Sequence, residues 1–68
     1  MTPVKSSSLE AIAHDPATGV LSVKFKSGET YHYAGVSAAD HSMLMAAESV
    51  GSHFQKNIRS KFEGKKSK

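Results

Sequence analysis

Three short segments in the first half of the chain alternate between apolar and polar residues. They cover about residues 9–14, 20–26 and 30–34, and each is separated from the next by turn-forming Pro or Gly residues. A period of two is typical of a β-strand with one buried face, and Pro and Gly favour tight turns. The pattern therefore predicts a three-stranded antiparallel meander.

The first hairpin takes its register from the turn that joins its strands. We expect a five-residue turn over residues 15–19, which sets Glu10 opposite Lys24 on one face, with Ile12 on that same face. A shift of one residue would exchange the two faces of a strand, so this choice decides which residues are buried. The apolar face would then hold Leu9, Ala11, Ala13, Leu21, Val23 and Phe25.

The second hairpin has two possible registers. A two-residue loop, Ser27-Gly28, would put Tyr31 and Tyr33 on the outer face, where exposed rings can stack with nucleic-acid bases. A three-residue loop that begins at Lys26 and forms a β-bulge at Gly28 would put both tyrosines on the apolar face. We favour the second register because Ser followed by Gly suits that loop and because it buries two rings.

The second half of the chain has a helical period. Ser37 followed by Asp40 predicts the start of a helix over about residues 38–48. Ser52 with Gln55 has the spacing of a capping box and predicts a second helix over about residues 53–62. The predicted fold class is α+β, with one sheet face covered by two short helices. The predicted core is Leu9, Ala11, Leu21, Val23, Phe25, Tyr31, Tyr33, Leu44, Phe54, Ile58 and Phe62.

Length and charge add the domain organisation. A chain of 68 residues allows one domain, which we place at residues 1–62, followed by a basic flexible tail at residues 63–68. The formal net charge of +3 is unevenly distributed, because residues 1–48 have a net charge of −2 and residues 49–68 a net charge of +5. Such asymmetry favours an anionic partner, although a Lys-rich tail also serves solubility alone.

Several classes of function are not expected. No apolar segment approaches the roughly 20 residues of a membrane span, and no signal peptide is visible, so we expect a cytoplasmic protein. The absence of Cys excludes disulfides and Cys-based zinc sites. The four His residues lack helical metal-ligand spacing, and neither a nucleophile elbow nor a glycine-rich phosphate loop is present. We therefore expect no metal, no cofactor and no enzymatic activity.

Two motifs in a fixed order resemble a known family. Tyr31-His32-Tyr33 lies at the centre of the chain, and Phe54-Gln55-Lys56-Asn57-Ile58-Arg59 follows near its end. This order resembles the KTSC domain, a short module named for its occurrence at the C-terminus of some lysyl-tRNA synthetases and also found as small bacterial and phage proteins. The resemblance covers roughly Lys5 to Phe62. It implies RNA binding, which has been suggested for the family, and it implies no set of catalytic residues.

The strongest candidate site is a polar and basic cluster on the predicted second helix. Asn57 and Arg59 flank an apolar residue, and a guanidinium offers a planar set of donors suited to phosphate. The structural alternative is that Asn57 ties a loop to the helix while Arg59 pairs with Glu63. Further basic residues that can contact phosphates in the first interpretation are Lys56, Lys61, Lys65, Lys66 and Lys68.

Other candidate residues lie outside that helix. Ser7 and Ser8 can offer hydroxyl and backbone N–H groups to an anion, although serines before a strand more often bond their own backbone. The hydroxyl of Tyr33 can reach the edge of the same polar site even if its ring is buried.

Three functions follow from these residues. The first is a non-enzymatic module that binds RNA or another polyanion mainly through phosphates. The second is a protein-interaction module, in which exposed sheet edges and an outward methionine, Met43 or Met45, bind a partner or a second copy. The third is a pocket for a small anion or nucleotide, built from Ser7, Ser8, Tyr33, Asn57 and Arg59.

Overall fold

The computed structural model describes residues 1–66, so Lys68, a predicted phosphate contact, lies outside the described residues. The expected α+β class is confirmed, with an antiparallel sheet and two short helices late in the chain, but the sheet has five strands rather than three. The strands follow one another in sequence order: β1 (Thr2–Pro3), β2 (Leu9–Asp15), β3 (Val20–Phe25), β4 (Thr30–Tyr33) and β5 (Gly64–Lys66). The helices are α1 (Ala38–Ala46) and α2 (Val50–His53), and α2 continues into a π-helical segment (Phe54–Arg59).

The two strands that were not predicted form the edges of the sheet. β1 pairs with β2, and β5 pairs with β4 over three residues. Residues 64–66 were predicted to be part of a flexible tail because they have little apolar surface to bury. Their pairing with β4 was not expected from the sequence, because backbone N–H and C=O groups on the open side of a strand can be paired without an apolar pattern, and Lys is common in edge strands.

The predicted register of the first hairpin is wrong by one residue over most of its length. The turn contains four residues, so Ile12 lies opposite Val23 and is fully buried, while Ala11 is only half-buried. This register places a larger apolar side chain in the core than the predicted one. A shift between Leu9 and Ala11 then restores the predicted pair of Leu9 with Phe25.

The irregularity at Glu10 leaves a predicted ion pair in place. A β-bulge adds one unpaired residue to a strand and changes the direction of its neighbours. The carboxylate of Glu10 lies 3.1 Å from the ammonium of Lys24, as expected from the sequence.

The second hairpin has the favoured three-residue loop. The Phe25 N–H donates to the Glu29 carbonyl at 2.8 Å, and Gly28 adopts the left-handed conformation with φ of 99°. Tyr31 therefore lies opposite Val23, and Tyr33 lies opposite Leu21 on the covered face of the sheet. We call the face that carries these four residues the inner face, and the opposite face the outer face.

The helical part begins as predicted and then departs from the prediction. Ser37 caps α1, with its hydroxyl accepting from the Asp40 N–H at 3.1 Å, and α1 ends two residues before the predicted 48. The predicted capping box at Ser52 is wrong, because Ser49 caps α2 and accepts from the Ser52 N–H at 3.4 Å. Gly51 lies within α2, where a Cβ atom would come within 2.9 Å of the Ser6 hydroxyl oxygen.

The core lies between the inner face of the sheet and the helices. Phe25, Tyr31 and Phe62 are partly buried and pack against it, and Ala11 is the predicted core residue that the register moves out. Ile12, Val36 and Val50 are buried although they were not predicted. None of the helices within residues 1–66 has the length and apolar character needed to cross a membrane. The buried residues are Leu9, Ile12, Leu21, Val23, Tyr33, Val36, Leu44, Val50, Phe54 and Ile58.

Candidate ligand-binding cleft

A cleft of about 260 Å³ opens where the second hairpin faces the end of the π-helical segment. Its position follows from the three-residue loop, because that loop directs Glu29, Tyr31 and Tyr33 towards the inner face. The cleft combines aromatic rings, hydroxyl groups, one carboxylate and one guanidinium. Its lining residues are Phe25, Ser27, Glu29, Tyr31, Tyr33 and Arg59.

The aromatic wall is held by edge-to-face contacts. The ring of Phe25 contacts Tyr31 at a centroid distance of 5.5 Å and Phe54 at 5.8 Å. Phe54 in turn contacts Tyr33 at 5.3 Å. Such contacts suit the charge distribution of aromatic rings and fix their orientation, so the wall is formed before any ligand binds.

Tyr33 is the most buried residue of the cleft. Only 4% of it is exposed, and β5 lies directly on its ring, since a Cβ at Gly64 would come within 2.5 Å of a ring carbon. Burial raises the pKa of the Tyr33 hydroxyl, and the positive charge of Arg59 partly opposes this effect. The hydroxyl is therefore protonated at neutral pH and is a hydrogen-bond donor.

Arg59 ends the π-helical segment and is exposed at the cleft. The ion pairs found within residues 1–66 are those of Lys24 and Lys66, so Arg59 has no carboxylate partner in that part of the chain. The alternative pair with Glu63, considered from the sequence, is not formed. The guanidinium is consequently available to an anionic ligand.

The opposite side of the cleft carries an ion pair. One oxygen of Glu29, Oε2, lies 3.0 Å from the Lys66 ammonium, and this contact raises the pKa of Lys66. Both side chains are about half exposed, so we expect the pair to add little to stability. The ion pair affects the charge of the cleft instead. Because Lys66 neutralises Glu29, the charge of Arg59 gives the region of the cleft a net positive charge.

The other candidate residues of the second helix lie away from the cleft lining. Lys56 and Lys61 are exposed, and the Ser60 hydroxyl donates to the Lys56 carbonyl. Asn57 is half-buried, and its amide nitrogen donates to His53 Nδ1 at 3.4 Å. Asn57 therefore contacts the last residue of α2, one turn before it along the chain.

The remaining candidate residues occupy two other places. Ser7 and Ser8 are exposed before β2, and the hydroxyl oxygen of Ser6 accepts from the Ser8 N–H at 3.3 Å. Lys65 lies opposite His32 on the outer face, beside a second depression of about 370 Å³. Of the residues predicted from the sequence, the structure brings together Tyr33, Arg59 and Lys66 and separates the others from them.

Sequence reasoning missed Phe25, Ser27 and Glu29 as cleft residues. A usable signal was present, because the favoured loop places Glu29 opposite Phe25 and on the same face as the tyrosines. No comparable pattern in the sequence places Arg59 next to these residues.

The histidines make local contacts. His14 and His41 stack with a centroid distance of 4.9 Å, and His14 Nε2 donates to the Val36 carbonyl at 2.7 Å. His32 Nδ1 and the Ser22 hydroxyl are hydrogen-bonded at 2.8 Å on the outer face. Among the residues that the structure describes, no three His, Asp or Glu side chains are grouped so that they could hold a metal ion.

The sheet, the two late helices and the cleft define a small α+β module. The family model of the KTSC domain matches residues 5–62, and the chain belongs to this family. A KTSC domain protein from Yersinia pestis has a similar crystal structure, with a TM-score of 0.91 and 37% identity, covering 98% of this chain and 94% of the other. A protein of Tsukamurella paurometabola is 39% identical over 62 residues, which are 91% of this chain and 92% of that protein. An uncharacterised protein of Stutzerimonas stutzeri is 39% identical over 51 residues, or 75% and 72% of the two chains.

Proposed function

We propose that this protein is a small non-enzymatic module that binds single-stranded RNA, with Arg59 as the central phosphate contact. The observation that carries the proposal is the exposed guanidinium of Arg59 at an aromatic cleft, without a carboxylate partner within residues 1–66. Arg presents several N–H donors in one plane and is well suited to phosphate oxygens.

The charge around Arg59 supports the same proposal. Residues 54–66 contain five Lys or Arg residues and one acidic residue. Lys56 and Lys61 are exposed near Arg59 in sequence and can contact neighbouring phosphates of a flexible strand. Single-stranded RNA is favoured over a duplex because the aromatic rings line a cleft, which an unstacked base can enter and a paired base cannot.

Fluorescence anisotropy with a labelled 12-nucleotide RNA tests the proposal. Three phosphate contacts give a slope of about −2 in a plot of log affinity against log salt, or about a 20-fold loss between 50 and 200 mM salt. Arg59→Ala should weaken binding and make the slope shallower by about 0.7. The matched control is Lys24→Ala, which also removes one positive charge but lies on the outer face in its pair with Glu10.

Two results would contradict the proposal. One is the absence of binding at micromolar protein in low salt. The other is an equal effect of Arg59→Ala and Lys24→Ala, which would mean that RNA responds to net charge and not to the site.

A second candidate function is self-association through α1. It is favoured by Met43, which is 61% exposed while Met45 is half-buried. A flexible exposed methionine is a common contact at adaptable interfaces. Light scattering after size exclusion should then show a dimer at high concentration, and Met43→Lys should shift it to monomer; a monomer at every concentration would exclude this function.

A further inference from the structure

The cleft at the second hairpin also contains a feature that can distinguish one base from another. We infer that it takes a single unpaired nucleobase whose phosphate is held by Arg59, and that the carboxylate of Glu29 selects guanine. This inference rests on the proposed function, because it names the ligand of the same site.

The size and walls of the cleft suit one base. Its volume of about 260 Å³ is slightly below the range of clefts that hold drug-sized ligands. Phe25 and Tyr31 are only partly buried, so part of each ring remains available for contact. Aromatic side chains accept bases on their faces in many proteins that bind single strands.

The charge of the cleft argues against a basic side chain of a protein partner as the occupant. Arg59 and Lys66 are positive and Glu29 is negative, which leaves a net positive charge. A lysine or arginine entering the cleft would be repelled by this charge, whereas a nucleotide brings a planar ring together with an anionic phosphate.

Glu29 supplies the discrimination between bases. Its Oε2 atom is held by Lys66 at 3.0 Å, which orients the carboxylate while Oε1 remains as a second acceptor. A carboxylate accepts hydrogen bonds and donates none. Guanine presents two adjacent N–H donors on its pairing edge, whereas adenine, cytosine and uracil each place an acceptor beside a donor. A carboxylate can therefore accept hydrogen bonds from both adjacent donors of guanine. Each of the other three bases would bring an acceptor against the carboxylate, and the two acceptors would repel each other.

The test compares four labelled RNA pentamers that differ only in the central base, with uridines elsewhere. We expect the pentamer with guanine to bind about tenfold more tightly than the other three, as is typical for a specific base contact. Glu29→Gln has the same shape but replaces one acceptor by a donor, so it should remove most of this preference. Glu63→Gln is the matched control, because it makes the same change of charge at the outer depression and should leave the preference intact.

The outcomes separate this inference from the proposed function. Equal, salt-dependent binding of all four pentamers, or a guanine preference that Glu29→Gln does not change, would overturn the inference and leave RNA binding in place. If no RNA binds, the proposed function fails. Titration of the protein with guanosine monophosphate and with uridine monophosphate then tests whether the cleft binds guanine. Guanosine-specific shifts of the Tyr31 and Tyr33 ring resonances that disappear in Glu29→Gln would support the cleft, and their absence would overturn it.

Discussion

The replacement of Ile12 by Ala tests the register on which the whole inner face depends. Ile12 is fully buried opposite Val23, whereas the register expected from the sequence would point it outward and bury Ala11 instead. The two registers therefore predict opposite costs for substitutions at neighbouring positions of the same strand.

The cost follows from the carbon atoms removed. Ile to Ala takes three of them out of the core, worth about 2.4 kcal/mol at about 0.8 kcal/mol each, and the remaining cavity adds to this. We expect a loss of roughly 2–5 kcal/mol, while a domain of 68 residues has a total stability of roughly 3–10 kcal/mol. Ile12→Val should cost about 0.5–1.5 kcal/mol and provides a variant that stays folded.

Urea unfolding followed by circular dichroism measures the change. Ala11→Ser is the matched control, because a hydroxyl on the outer face should change the free energy of unfolding by less than about 0.5 kcal/mol. If the expected register were correct, Ala11→Ser would bury a hydroxyl and cost about 1–3 kcal/mol, and Ile12→Ala would cost little. Similar unfolding midpoints for Ile12→Ala and Ala11→Ser would refute the register that pairs Ile12 with Val23.

Three further predictions concern β5, α1 and pH. Gly64→Ala should displace β5 from the Tyr33 ring at a cost of about 1–3 kcal/mol, visible as faster amide exchange in β5 with the rest of the sheet protected. Ser37→Ala removes the cap of α1 and should lower the free energy of unfolding by about 1 kcal/mol in the same urea assay. Burial and the nearby His14 lower the pKa of His41 in the folded protein, so the unfolded chain binds more protons. Stability should therefore fall as the pH drops below about 6.5 and level off below the folded-state pKa, and His41→Gln should reduce this dependence; an unchanged dependence would exclude His41 as its source.

Local chemistry predicted some parts of the fold correctly. The loop at Ser27-Gly28 has residues that suit one turn type, so the faces of Tyr31 and Tyr33 followed directly. The cap at Ser37 is similarly local. These features depend on a few adjacent residues and need no knowledge of the rest of the chain.

Features that depend on tertiary pairing were not predictable in this way. The turn residues alone do not show whether Asp15 belongs to β2 or to the turn. Because Asp15 belongs to β2, the register places Ile12 on the buried face. β5 has three residues without an apolar pattern, and its pairing with β4 depends on the open edge of that strand. The ion pair between Glu29 and Lys66 could not be predicted, because the strand that carries Lys66 was not predicted.

The position of Arg59 shows why the cleft could not be read from helical periodicity. In an α-helix a residue five positions after Phe54 lies about 140° around the axis from it. Hydrogen bonds from residue i to i+5 put about 4.4 residues in each turn, which brings Arg59 to within roughly 50° of Phe54. Ile58 stays close to Phe54 in either geometry, so the apolar spacing of four fits both and cannot distinguish them. The wider turn therefore directs Arg59 towards the aromatic rings without altering the core, and the proposed phosphate contact depends on it.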